Sequence, residues 1–301
     1  PNVRTVAPDP RRREVTAAEH IDAHFVDRGG PGPVGHGYPE SARTTGEAWW
    51  TRQLGPVVRL LGLDTNNHHR GVNGCIVHPE WEWLEAELRR NSSRFFEEDG
   101  TETTQAVEDH LFIVVSHHTS TTMDNPFPDP AHPGPTRDGP ALVQRLLRFP
   151  NVVLWLDGHT HQSEIRAHPA ADGASGFWEV TTPSCIDWAQ HSRMVELVDN
   201  RDGTLSVFTF QVDHAADLVP GTGELDVARM AAWSRELSAN PWFGDPGARR
   251  GRHEDRNTEL MLPAPFDLSR LSDRQLEISR VAAAARIARQ DLLRPVWPEW
   301  S

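Results

Sequence analysis

The chain has 301 residues, enough to bury a sizeable core as one large domain or two. Its 30 basic and 43 acidic residues leave a net charge of -13 with neutral His, which argues against a surface that coats nucleic acid and against an anionic-membrane patch. No run approaches the roughly 18 apolar residues of a membrane span, so the sequence reads as soluble.

Up to about Trp50 the chain is rich in Pro, Gly, Arg and His. One helix is expected there, opened by Thr16 and Glu19 at capping-box spacing before Ile21, Phe25 and Val26. Residues 57–63 read as a buried strand that ends at Asp64 and a polar loop. Pro79 opens a helix with Trp81, Leu84 and Leu88 on one face. Residues 111–115 are five apolar residues in a row, as in a central strand covered on both sides. A Pro-rich loop, a short helix over 141–149 and a third strand over 152–156 follow. Residues 177–182 read as a strand, and 194–198 with 205–210 as a hairpin turning at Asp202-Gly203. Beyond Asp213 a helix over 224–237, a loop over 240–265 and a last helix over 272–293 are expected. Alternating strands and helices from 57 to 156 argue an α/β sheet. Cys75 and Cys185 make neither a disulfide framework nor a Cys-x-x-Cys site.

Two clusters carry chemistry. Ser116-His117-His118-Thr119 follows the strand 111–115, and Gly158-His159-Thr160-His161 follows the strand 152–156. In open α/β sheets sites gather at the carboxyl ends of strands, so adjacent strands would bring these imidazoles together. Imidazole is the commonest metal ligand near neutral pH. Gly158 would leave room beside a metal.

These blocks resemble the calcineurin-like metallophosphoesterase superfamily. Val-Val-Ser-His117-His118 is similar to its strand followed by His-x-Pro, with Thr119 in place of Pro. Leu-Asp-Gly-His159-Thr-His161 is similar to its closing Gly-His-x-His block. The resemblance covers roughly residues 57 to 212, and the Arg-rich start, the Thr-Pro-Ser-Cys-Ile-Asp-Trp run and Asp255-Arg256-Asn257 are similar to an actinobacterial subgroup. It implies two mixed sheets packed face to face with helices outside, incomplete at the N-terminal side. Residues 1–215 would be the C-terminal portion of that domain and 216–301 a loop-rich, helical extension. It implies metal ligation by His117, His159 and His161, with His118 in the surrounding layer or against substrate. Two divalent ions, Mn, Fe or Zn, would activate water for attack on a small phosphorylated substrate, a monoester or diester. A bacterial protein, cytoplasmic or exported, fits this resemblance.

The family's Asp-x-His, Gly-Asp-x-x-Asp and Gly-Asn-His-Asp blocks are not found. Asp22-Ala-His24 has the spelling of the first, but in an expected helix. Asn66-Asn67-His68-His69 is similar to part of the third, but in a polar loop after the wrong strand. The chain is therefore expected to represent part of a longer enzyme and to have little activity alone. The alternatives are a non-catalytic metal-binding domain and a degenerate interaction domain of the same fold. Asp157 is expected to accept hydrogen bonds within its loop. Glu164 is expected beside His161 or in solvent, and Arg193 at the surface, with phosphate contact as the less favoured role.

Overall fold

The computed structural model describes residues 7–26, 34–67, 69–125, 127–171, 175–240 and 245–272, with Thr5, Gly173 and Gln275. The chain divides near Trp50 into two compact units.

In the first unit α1 (Ala17–Val26) starts as its cap residues dictate. The Glu19 amide donates to Thr16 Oγ1 at 3.2 Å, and the Thr16 amide donates to the Glu19 carboxylate at 2.8 Å. Ile21 is its fully buried anchor. The short α2 (Ala42–Thr45) stops at Gly46 in the left-handed region. Arg43 ties the two helices, pairing with Asp22 at 2.6 Å and lying over the Phe25 ring.

The second unit runs β1 (Trp50–Leu54), β2 (Val58–Gly62), α3 (His78–Arg90), β3 (Arg94–Phe96), β4 (Glu102–Thr104), β5 (Leu111–Val115), α4 (Gly139–Leu147), β6 (Val152–Asp157), β7 (Glu164–Pro169), β8 (Gly176–Thr181), β9 (His191–Asp199), β10 (Thr204–Asp213), α5 (Val227–Ser238) and β11 (Thr258–Pro263). The main sheet has six strands in the order β1-β2-β5-β6-β8-β7. β2, β5, β6 and β8 are mutually parallel, and β7 returns antiparallel to β8. A three-stranded sheet, β11-β10-β9, is antiparallel throughout, and β3 pairs antiparallel with β4. Of the two mixed sheets expected, the larger is mixed. The smaller is antiparallel because β9 and β10 form a hairpin and β11 joins its free side.

Alternation along the central strands sets the layers. Phe112 and Val114 of β5 pack with Leu84 and Leu88 of α3 and Leu142 and Leu146 of α4. Leu111 and Ile113 point the other way, into a cluster with Leu205, Val207, Leu260 and Leu262 of the small sheet. A strand buried on both faces has no polar side to show, which is why it reads as one apolar run. Truncating one such leucine to Ala would cost about 2–5 kcal/mol.

The expected strands and helices from 57 to 210 appear within a few residues of their expected bounds, the hairpin strands extending furthest. β7, within the stretch after His161, was not expected, and neither was β11, inside what reads as a loop. The helix expected over 224–237 is α5, whereas nearly all of the one expected over 272–293 lies outside the described residues. No described helix is long and apolar enough to cross a membrane.

Candidate metal centre

Hydrogen bonds across the carboxyl ends of the parallel strands hold the site loops in register. The Leu63 amide donates to Val115 O at 2.8 Å and the Ser116 amide to Leu156 O at 3.0 Å. The Gly158 amide donates to His117 O at 3.1 Å and the Thr182 amide to Asp157 O at 2.8 Å. Trp155 Nε1 donates to Ser116 Oγ, which donates to His118 O. The two histidine loops are therefore pinned to each other, not merely adjacent.

His117 Nε2 and His159 Nδ1 lie 3.1 Å apart. Two imidazole nitrogens on one ion at ~2.05 Å bonds would be separated by roughly 2.9 Å at a right angle and 3.3 Å at a tetrahedral angle. The pair already stands at a shared-ion distance. Among the described residues, His117, His118 and His159 form the one group of at least three metal-ligating side chains with ligand atoms all within 4.8 Å of each other. Burial, followed by the neighbouring imidazoles, lowers the pKa of His117 and of His159, so both are neutral at neutral pH and keep a lone pair.

His118 belongs to the wall of this group. It is 2 % exposed. Its Nε2 donates to Val72 O at 2.9 Å, which leaves Nδ1 to accept from the Thr65 hydroxyl at 2.7 Å. The Thr65 oxygen accepts in turn from the His118 amide at 3.2 Å. With both ring nitrogens engaged, His118 holds β5's loop to β2's loop. A Cβ on Gly74 would lie 2.5 Å from this ring, so the glycine is what admits it.

His161 stands outside the close group. Its Nδ1 donates to Asp187 Oδ2 at 2.5 Å, and Arg249 Nη1 lies 3.0 Å from the same oxygen. A carboxylate on one ring nitrogen fixes the tautomer and turns the other nitrogen into the ligand atom. Asp187 was not singled out from the sequence, although it lies in the Thr-Pro-Ser-Cys-Ile-Asp-Trp run. His159 and His161 both have left-handed backbones, φ 62° and 58°. Two such non-glycine residues in one four-residue loop are a cost of order 1–3 kcal/mol each, of the kind that clusters at functional sites.

Around the site several expectations change. Asp157 is buried beside Glu179, and desolvation followed by that charge pushes its pKa well above the carboxylate range. Burial there favours its neutral form. Glu179 remains ionised. Burial pushes its pKa upward, but hydrogen bonds from His168 at 2.6 Å and from Ser120 hold it at about 2. Glu164 pairs with Arg166, not with His161. Arg193, expected at the surface, is half-buried and donates to Ser163 Oγ, Thr209 Oγ1, Asp255 O and Arg256 O. Asn67 accepts from the His69 and Arg70 amides and shapes its own loop, while His68 lies outside the described residues. Asp22 and His24 lie in α1, as the cap spacing implies.

No protein-family model matches the chain, and no curated protein matches its sequence.

Proposed function

We propose that the chain carries the metal-binding C-terminal part of a calcineurin-like metallophosphoesterase. The observation that carries this reading is the His117–His159 pair, 3.1 Å apart at the carboxyl ends of adjacent parallel strands. The residues fit an ion: both imidazoles are neutral, and the approach is partly open, with His117 exposed. His161, oriented by Asp187, is the third ligand candidate.

When bound, divalent metal would lower the pKa of water and stabilise charge on a phosphoryl group. The chain's own part is to present neutral imidazoles, hold their loops together and fix the His161 tautomer. His118 supports His117 without itself ligating. Among the described residues the close group has no carboxylate, whereas the dinuclear centre of the resembled family is joined by a bridging Asp. The substrate reading is a small phosphomonoester or phosphodiester, hydrolysed by the parent enzyme, with little turnover by this chain alone.

A non-catalytic or degenerate relative is the second reading. The close group favours it, because among the described residues that group is made of imidazoles without a carboxylate.

The test measures metal content and hydrolysis of p-nitrophenyl phosphate and bis-p-nitrophenyl phosphate, by this chain and by any longer product of the same gene. Metal bound by both, with turnover in the longer form alone, and loss on His159→Ala of that turnover and of the ion held at His117 and His159, supports the proposal. Metal binding that His117→Ala and His159→Ala leave unchanged sinks it.

A further inference from the structure

The first unit holds a second histidine cluster, independent of the site above. His20 and His24 are one turn apart on α1, the i, i+4 spacing that puts two imidazoles on one helix face. His36 arrives from the loop, and its Nδ1 lies 2.8 Å from His24 Nδ1. The His20 and His24 rings have centroids 5.1 Å apart, as do those of His24 and His36.

The loop delivers His36 by a specific device. Gly35, His36 and Gly37 are all left-handed, with φ of 83°, 51° and 113°. The Gly35 amide donates to His24 O at 3.1 Å, capping the helix end, and the Tyr38 amide donates to Gly35 O at 3.0 Å. A Cβ on Gly35 would fall 2.6 Å from the Phe25 ring. The turn is thus seated on the helix that carries the other two imidazoles.

We propose that His20, His24 and His36 form a mononuclear site for a borderline transition-metal ion such as Zn²⁺, stapling α1 to the turn at residues 35–38. A 2.8 Å separation is within about half an ångström of what two nitrogens on one ion require. His20 stands outside the close His24–His36 pair, and because it is exposed a change of its rotamer would bring it to the ion. The two carboxylates on the helix, Glu19 and Asp22, are paired with Arg13 and Arg43. An all-imidazole set selects Zn, Ni or Cu over Ca or Mg. A unit this small gains from such a tie: its buried apolar side chains, among the described residues up to 49, are Ile21, Ala42 and Trp49.

The experiment is calorimetric titration of the metal-free full chain with Zn²⁺, with Co²⁺ absorbance as a second readout. The background is His117→Ala/His159→Ala, which removes the other site. About one ion per chain should still bind there. His24→Ala and His36→Ala should each weaken it by more than the roughly 10–100-fold that losing an outer partner costs. Should the background variant fail to fold, wild type and His36→Ala are compared directly, since His36 is exposed in a turn. Their stoichiometry should then differ by about one ion. A folded background variant that binds no Zn²⁺ overturns the proposal. So does binding that His20→Ala, His24→Ala and His36→Ala all leave unchanged.

Discussion

Glu80 is wholly enclosed in the first turn of α3, where its Oε1 accepts the Asp64 amide at 2.7 Å. Its Oε2 has no hydrogen-bond partner. Burial, then the Asp64 charge, raises its pKa well above the usual value of 4.5, so it is protonated in the fold. The unfolded chain releases that proton above about pH 4.5, so stability falls as pH rises beyond it. The slope is about 1.36 kcal/mol per pH unit until the folded group also ionises. Glu80→Gln keeps the shape and removes the proton. It should therefore raise the denaturation midpoint at pH 7 and lose its advantage near pH 4, as urea melts at the two pH values would show. Equal midpoints at pH 7 would mean the carboxyl is solvated. A second residue-scale test concerns Gly74, whose added Cβ would meet the His118 ring at 2.5 Å. Gly74→Ala should cost about 1–3 kcal/mol by overpacking and should also weaken metal binding at His117 and His159. The histidines themselves were legible in the sequence because each pair follows an apolar strand. Their supports were not. Thr65 stands 53 positions from His118 and Asp187 stands 26 from His161, and no local pattern links them.

At the level of elements, the strands that announce themselves are those buried on both faces or closed by a turn signal. β5 and β6 are unbroken apolar runs, and the β9–β10 hairpin is marked by Asp202-Gly203. β7 and β11 lack that signature. β7 carries Glu164, Arg166 and His168, which pair with Glu179 on the neighbouring strand and with one another. β11 alternates buried Leu260 and Leu262 with exposed Met261, but a Pro- and Arg-rich stretch precedes it and obscures the period. What joins these elements is Arg193 on β9. It reaches the loop before β7 through Ser163 and the turn before β11 through Asp255 and Arg256. Burial holds its pKa down to about 10, so it remains charged at neutral pH. Arg193→Met fills similar volume but leaves several buried acceptors without a donor. It should cost about 2–4 kcal/mol in a denaturant melt. If Arg193 served a phosphate instead, the variant would retain stability and lose only ligand affinity.

For the whole molecule, the main sheet and its layers explain why a metal reading attaches to this region. Parallel strands end together, so the loops after β2, β5, β6 and β8 converge, and hydrogen bonds between their backbones remove most of the freedom an ion would otherwise have to restrain. A site formed by folding and absent from the unfolded chain links binding to stability. At a free ion concentration 100 times the dissociation constant, the folded state gains about 2.7 kcal/mol. Zn²⁺ or Mn²⁺ added to the chelator-treated chain should therefore raise its melting temperature, and chelator should reverse the shift. The part of the shift that belongs to the candidate centre should vanish in His117→Ala/His159→Ala, while Asp187→Asn should reduce it by loosening His161. Phosphoester turnover should not rise in parallel, because the close group offers imidazoles without a carboxylate to bridge a second ion. Stabilisation without turnover is what imidazole ligands without a bridging carboxylate should give. Turnover that scales with metal occupancy in this chain would place the missing carboxylates within it. Asp64 would then be the first to substitute, since it lies in the loop just after β2 and its charge acts on His118.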